Sequence, residues 1–285
     1  MLKQINFKSI LNNISTKNNL YLRITYYIFV HYLALLAFKY GTISTIIVAI
    51  LFWFIGAFAV SGYAHRALAH GSVIFKSKFL EHLSNWFAIY SGIGTPLGWA
   101  ALHRMHHSYL DTDKDPHSPW RIGFWRSYFH LWDWRKEDVP PKMTAGLHRN
   151  IIALRYHYKA IQTLIVFWVF LFVVAELCKV HLGILGGMPV ICGAAIAVVL
   201  GIHGMGVTNA VSHSGTQPKE IISLDPIGGA FINFGEGQHE YHHHKPMDYE
   251  FGKGMSDPTA RVLDLLEKID LVKINRINRT SELNG

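Results

Sequence analysis

Histidines grouped in short clusters are the feature of this sequence with the clearest chemical potential. The chain has 285 residues, 18 of them histidines, and half of these fall into three clusters. Imidazole nitrogen is a preferred protein ligand of zinc, copper, iron and nickel. The clusters read HRALAH at 65–70, HRMHH at 103–107 and HEYHHH at 239–244, and a further histidine ends the segment NAVSH at 209–213. This concentration predicts a metal site.

The spacing within the clusters suits ligands presented on helices. Residues three and four apart share a helix face, as do the histidines within 103–107 and 239–243 and the pair Asn209 and His213. His65 and His70 are five apart, so we expect one of them to lie where a helix ends. A single zinc needs three or four protein ligands, whereas nine clustered histidines fit two ions. The nine are His65, His70, His103, His106, His107, His213, His239, His242 and His243.

The other histidines are expected to be structural or solvent-exposed. Among them, His117 and His244 adjoin clusters and are the best candidates to contact a ligand imidazole. One cluster also matches HExxH, the zinc metalloprotease signature, with His239 and His243 as ligands and Glu240 as base. A proline three residues later limits helix continuation, and this alternative leaves the histidines of the other clusters without a function.

Four apolar segments must position these clusters. Hydrophobic residues make up 50% of the chain and charged residues 16%, against about 25% charged in an ordinary soluble domain. At about 1.5 Å per residue, each segment is near the ~30 Å thickness of the hydrocarbon layer. The predicted spans are 21–38, 42–62, 161–180 and 187–206, joined into two hairpins by short turns. We therefore expect an all-α integral membrane protein in which a helical cap beyond the spans holds the histidines.

A fifth apolar run, 84–102, is predicted to be buried or re-entrant rather than spanning. Its three glycines and one proline suit a broken, protein-covered segment. With four spans, only Lys39 and Lys179 of the 27 Lys and Arg residues fall on one side of the membrane. The other side is then cytoplasmic and carries both termini, an arm over 1–20 and a polar tail over 270–285. The net charge of +8 fits loops beside anionic lipid, and no nucleic-acid site is expected.

Together, these clusters and their surroundings resemble the membrane fatty acid desaturase family, specifically its stearoyl-CoA desaturase-like, delta-9 branch. The resemblance covers roughly residues 40–255 and is carried by GYAHRALAH, HRMHHSYLDTDKDPHSP, TNAVSH and GEGQHEYHHHKP. It implies two membrane hairpins, a cytosolic cap and a di-iron centre. It also implies that the nine clustered histidines are the ligands and that Asn209 is bound through a water.

The resemblance further implies an O₂-dependent enzyme that inserts a cis double bond, delta-9 in this branch, into a saturated fatty acyl chain carried by CoA or lipid. The nearest alternative is an acyl or lipid hydroxylase of the same di-iron chemistry, since both reactions begin with hydrogen abstraction. A His-rich metal transporter is disfavoured because the spans contain few ionisable residues.

Electrons are expected from a separate protein. The sequence contains no flavin or NAD fingerprint and no iron–sulfur cysteine motif. A ferredoxin or cytochrome b5-type donor is therefore expected to dock on the basic cytoplasmic face, where opposite charge steers the encounter. Arg121, Arg126, Arg135 and Lys136 are candidate contacts. The short chain without sorting signals favours a bacterial inner membrane.

Five residues in three segments bear on the substrate and on the surroundings of the metal. Glu240 replaces the Asn usual in the third box, and it either hydrogen-bonds a ligand imidazole or faces solvent. Ala101–Leu102 stands where acyl-CoA enzymes often carry Arg-Asp, which makes this chain similar to bacterial acyl-lipid desaturases. Trp53 and Phe54 precede the first cluster by roughly 17 Å of helix, and we expect one of them to close the distal end of an acyl tunnel.

Overall fold

The fold is built on four long apolar helices. The computed structural model describes residues 16–132, 139–183, 186–224, 234–252 and 256–276. The helical stretches that are long and apolar enough to cross a membrane are Leu20–Tyr40, Ile43–Ala69, Ala160–His181 and Met188–Val211. The prediction of four spans is thus confirmed, and the second and fourth extend further toward the histidine clusters than the sequence predicted.

Two pairs of spans are separated by a series of shorter helices, and further short elements follow the second pair. Those of the first half are α1 Thr16–Leu35, α2 Ala37–Tyr40, α3 Ile43–Phe58, β1 Val73–Phe75, α4 Lys78–Tyr90, α5 Pro96–Tyr109, α6 Pro119–Ile122 and α7 Phe124–Tyr128. Those of the second half are α8 Ile151–Tyr158, α9 Ala160–Leu182, α10 Met188–Gly206, α11 His239–His244, α12 Pro258–Lys268 and β2 Val272–Ile274. Two π-helical segments, Ala59–Ala69 and Val207–Val211, continue α3 and α10 directly.

The second and fourth spans pack closely against each other. A Cβ placed on Gly193 of α10 would meet the carbonyl oxygen of Thr45 in α3 at 2.5 Å, so glycine lets the two backbones approach. The turn before α3 is fixed by reciprocal capping hydrogen bonds between Thr42 and Thr45. This pair of helices therefore forms a rigid support for the segments that follow each of them.

The apolar run 84–102 forms the end of α4 and the start of α5, not a span. The chain breaks between the two helices, where Gly92 and Gly94 both have φ +85°, a conformation that favours glycine. Thr95 then caps α5 by accepting a hydrogen bond from the Gly98 amide, and Pro96 occupies the first turn. Most of this run is buried. Of the two predicted alternatives, buried or re-entrant, the structure therefore shows the buried one.

The predicted polar tail over 270–285 begins too early. Val272–Ile274 pairs antiparallel with Val73–Phe75 in a two-stranded sheet, so the folded chain continues past residue 270. Val272 and Ile274 are buried against α12, a period-two pattern too short to stand out among polar neighbours. The predicted arm over 1–20 also ends too late, because α1 begins at Thr16, and residues 1–15 lie outside the described chain.

We expect the two hairpin turns to lie on the opposite side of the membrane from the cap. In a chain with Cys178 and Cys192 replaced by serine, single cysteines at the exposed positions Lys39 and Lys179 should react from one side with a membrane-impermeant thiol reagent. A cysteine at exposed Lys245, beside the third cluster, should react only from the other side. Labelling of all three positions from the same side would contradict this topology.

Candidate metal centre

The nine clustered histidines converge into two adjacent groups. In each group, one ring nitrogen from every member lies within 4.8 Å of those of the others. The five-histidine group consists of His65, His70, His103, His107 and His242. The four-histidine group consists of His106, His213, His239 and His243. The rings of His107 and His243 stack at 4.2 Å between centroids, so the two groups share a boundary.

The π-helical segments explain the spacing that an α-helix does not. The His70 amide donates to the His65 carbonyl at 3.1 Å, a bond across five residues, and the two rings lie 4.9 Å apart. His70 is also the residue at which this helix ends, as the spacing predicted. The Ser212 amide similarly donates to the Val207 carbonyl at 3.4 Å, just before His213. Such local widening is frequent at functional sites.

Helices α5 and α11 each supply both groups. On α5, His103 and His107 belong to the five-histidine group and His106 to the four-histidine group. On α11, His239 and His243 belong to the four-histidine group, and their Nε2 atoms lie 3.2 Å apart. His242, on the same helix, belongs to the five-histidine group. The i, i+3, i+4 spacing read from the sequence thus places one helix against two sites.

Carboxylates lie near the Nδ1 atoms of three of these histidines. His65 Nδ1 lies 2.9 Å from Glu236 Oε2, and His106 Nδ1 lies 2.7 Å from Asp115 Oδ2. Asp111 lies farther from His213, at 3.7 Å. Such partners fix the tautomer and orientation of metal-binding histidines. Sequence reasoning missed all three acids, although they lie inside the conspicuous segments GEGQH and DTDKDPH that adjoin the clusters.

The inward-facing nitrogens fit bound cations. His65 Nε2 lies 2.9 Å from His242 Nε2, and His106 Nε2 lies 3.2 Å from His243 Nε2, while the Nδ1 atoms of His65 and His106 contact carboxylates. A neutral imidazole has one N–H, and an imidazole that donates Nδ1–H to a carboxylate offers only a lone pair at Nε2. Converging buried lone pairs are the donor arrangement that a metal ion needs.

The protonation states agree with metal binding. Burial, reinforced by neighbouring histidines, lowers the pKa of His103 and His239 well below the usual value and that of His107 to about 3. Burial by itself would raise the pKa of Glu236, but His65 and Arg66 outweigh this effect and bring it to about 2. At neutral pH His103, His107 and His239 are therefore neutral imidazoles, and the Glu236 carboxylate is ionised.

His117, Glu240 and His244 are the residues predicted to contact the clustered histidines, and the structure places only His117 against one of them. His117 is buried, and its ring lies 4.0 Å from that of His106. Glu240 and His244 are exposed, and His244 Nδ1 binds the Glu240 carbonyl instead of a ligand. Of the two alternatives for Glu240, the structure has it facing solvent, because it lies on the outer face of α11. A general base in HExxH must adjoin the metal, so this position does not suit a protease.

An apolar cavity extends along α3 to both histidine groups. It is lined by Trp53 at one end and by His103, His239 and Asn209 at the other. Phe54 is not among the lining residues and is 41% exposed. Both aromatic rings contact Phe234 edge-on, so of the two candidates only Trp53 faces the cavity.

A second, more polar cavity meets the first at Trp99. The side chains of Arg23, Thr95, His130 and Trp132 line it. Among the described residues, His130 Nε2, Trp132 Nε1 and Trp99 Nε1 are buried without a hydrogen-bond partner. Trp99 also stacks on His103 at 4.7 Å between centroids. The two cavities thus adjoin at Trp99, whose side chain contacts the five-histidine group.

Comparison with known proteins identifies the class to which this fold and site belong. Residues 18–251 match the family model "Fatty acid desaturase". Similar curated proteins are "Delta-9 acyl-lipid desaturase 2" and "Delta-9 desaturase-like 5 protein" of Arabidopsis thaliana, each 32% identical over 75% of this chain and covering 68% and 70% of the relative. "Acyl-CoA C20 Delta5-desaturase" of Anemone leveillei is 30% identical over 76% of this chain and 68% of its own length. The chain belongs to the fatty acid desaturase family, which confirms the resemblance drawn from its histidine boxes.

The contrast between two glutamates tests the metal centre. Replacing Glu236 with Gln should lower the iron affinity of the site about 10- to 100-fold, because His65 loses an ionised partner. The matched variant Glu240→Gln alters an exposed glutamate of the same segment and should leave iron content unchanged. Elemental analysis of protein reconstituted with iron and exposed to a graded chelator measures both. Equal retention in the two variants would contradict a role for Glu236.

Proposed function

We propose that this protein is an O₂-dependent di-iron acyl desaturase that introduces a cis double bond, at delta-9, into a saturated fatty acyl chain. The observation that carries the proposal is the pair of histidine groups at the end of an apolar cavity. Nine imidazoles exceed the ligands of one ion and divide five and four. Relatives named for delta-9 and delta-5 desaturation support the reaction class.

Two irons, when bound, supply from O₂ the oxidising power that side chains lack. The five- and four-histidine groups are proposed to hold one iron each, with Asn209 bound through a water at the cavity wall. In the overall reaction an acyl CH₂–CH₂ becomes CH=CH and O₂ becomes two waters. Two electrons come from an external donor and two protons from solvent.

The cavities suit the two ends of an acyl substrate. The apolar cavity lined by Trp53 would hold the hydrocarbon chain, and its contact with His103 and His239 would bring a methylene pair to the metal centre. The second cavity, with Arg23 and unpaired polar atoms on its wall, would receive the polar carbonyl end. Relatives named for acyl-lipid and for acyl-CoA substrates support either carrier, lipid or CoA.

A separate ferredoxin or cytochrome b5-type protein is proposed to deliver the electrons. Arg126 is exposed, and Arg121 is half-buried with its Nε donating to the Asp113 carbonyl. Arg135 and Lys136 lie outside the described residues. A basic surface favours encounter with an acidic carrier.

The proposed setting is a membrane with the cap and both termini on the cytoplasmic side. Four apolar helices support membrane insertion, and the distribution of Lys and Arg supports the orientation. The bacterial inner membrane stays a prediction from the sequence, because the compared relatives are plant proteins.

Expression in a host without its own desaturase tests the reaction. Fatty acids from cells making the wild-type chain should contain a new monounsaturated acid, absent from a His106→Ala variant that removes a member of the four-histidine group. Gas chromatography–mass spectrometry with derivatised double bonds gives the position. A hydroxy acid in its place would favour the hydroxylase. With iron bound and a donor supplied, the absence of both products would contradict the proposal.

Trp53 and Phe54 form a matched pair for the chain-length test. Trp53→Ala should lengthen the cavity and shift preference toward longer acyl chains, by about tenfold or more per methylene. Phe54→Ala, which alters a side chain outside the cavity lining, should leave the preference unchanged. Product profiles from mixed-chain substrates measure both. A shift in the Phe54 variant alone would contradict this assignment.

A further inference from the structure

Arg66, the residue after the first clustered histidine, is fully buried. Its guanidinium contacts two carboxylates, with Nη1 2.8 Å from Glu236 Oε1 and Nη2 3.0 Å from Asp257 Oδ2. Its Nε donates to the Tyr249 carbonyl at 2.7 Å, and the group lies 3.9 Å above the ring of Phe251. Arginine's planar fork is suited to such multiple contacts.

The contact with Glu236 reaches the five-histidine group. One oxygen of this carboxylate accepts from Arg66, and the other lies 2.9 Å from His65 Nδ1. The ring of Phe251, below the guanidinium, lies 4.3 Å from that of His242. Arg66 therefore holds, from two directions, groups that contact two histidines of this site.

The contact with Asp257 reaches the C-terminal helix. Asp257 caps α12 by accepting from the Ala260 amide at 2.9 Å, and it also accepts from the Phe251 amide at 2.7 Å. A Cβ on Gly235, the residue before Glu236, would lie 2.5 Å from an Asp257 oxygen. The loop carrying Glu236, the N-terminus of α12 and Arg66 thus form one packed unit.

The four-histidine group has a different support. Asp115 accepts from the backbone amides of Asp111 and His117, and Asp111 accepts from the Ser118 hydroxyl and the Lys219 amide. In the described part of the chain, neither carboxylate is paired with a lysine or arginine side chain. Backbone amides and the Ser118 hydroxyl position these acids. Glu236 is instead linked to α12 by side chains, because Arg66 pairs with both Glu236 and Asp257, and Ser61 donates to Glu236 while it accepts from Thr259.

We propose that Arg66 is a positioning residue for the five-histidine group, and that the Arg66–Asp257 ion pair makes α12 part of the support of that half of the metal centre. This inference rests on the proposed di-iron function. It implies that disturbing the ion pair weakens one metal position and leaves the other intact, an asymmetry that general loss of stability does not produce.

Two conservative variants separate the ion pair from the fold. Arg66→Lys keeps the charge and loses the fork, whereas Asp257→Asn keeps a good helix cap and removes the charge. After reconstitution with ⁵⁷Fe, each variant should release one of its two irons to a chelator about tenfold faster than the wild-type protein does. The release rate of the other iron should stay within about twofold of the wild-type rate. Mössbauer spectra should lose one component first. Glu236→Gln should speed the loss of that same spectral component. Asp115→Asn should instead speed the loss of the other component, which belongs to the second iron.

Arg261→Lys is the matched control, because Arg261 forms a partly exposed ion pair with Asp264 on the same helix α12. It should change neither release rate. Equal acceleration of both irons in Asp257→Asn, or wild-type rates in both ion-pair variants, would overturn the inference. If Arg66→Lys does not fold, Asp257→Asn decides alone. A wild-type chain that binds fewer than two irons would instead contradict the proposed di-iron function itself.

Discussion

The packing of nine imidazoles with their ring nitrogens directed toward one another is the constraint on which the rest of this structure depends. Nitrogen atoms 2.9–3.2 Å apart gain little from each other without a cation between them. Their rings must therefore be held by the surrounding protein. Rigid helices, close packing of α3 against α10 and buried carboxylates provide that support. The cost of gathering these polar groups is offset when a metal binds.

Helical geometry meets this constraint in two ways. On α5 and α11, ordinary α-helical spacing lets a single helix face both groups. After α3 and α10 the helices widen into π-helical segments, so that residues five apart align and Asn209 turns toward the cavity. Both irregular segments lie where a span passes into the metal centre, which links membrane insertion directly to ligand placement.

The position of the site at the span ends also explains its access. The apolar cavity runs along α3, whereas the second cavity, beyond Trp99, is lined by Arg23, His130 and Trp132. Trp99, which stacks on His103, lines both cavities. The carboxylates that contact the histidines come from two loops. One loop is held mainly by backbone amides, and the other is held by the side chains of Arg66 and Ser61. The two histidine groups are therefore similar in composition and are supported by different contacts.

The sequence by itself determined the four apolar spans and which nine histidines come together, because apolar runs and short-range spacing are local properties. It also indicated that these histidines form a candidate metal site. It also pointed to the family now found by comparison. Only the tertiary structure decided how the nine divide into five and four, that Glu236 rather than Glu240 meets a ligand, and that Trp53 rather than Phe54 faces the cavity. These outcomes, like the pairing of β2 with β1 across some 200 residues, depend on contacts between distant segments. No local pattern encodes such contacts.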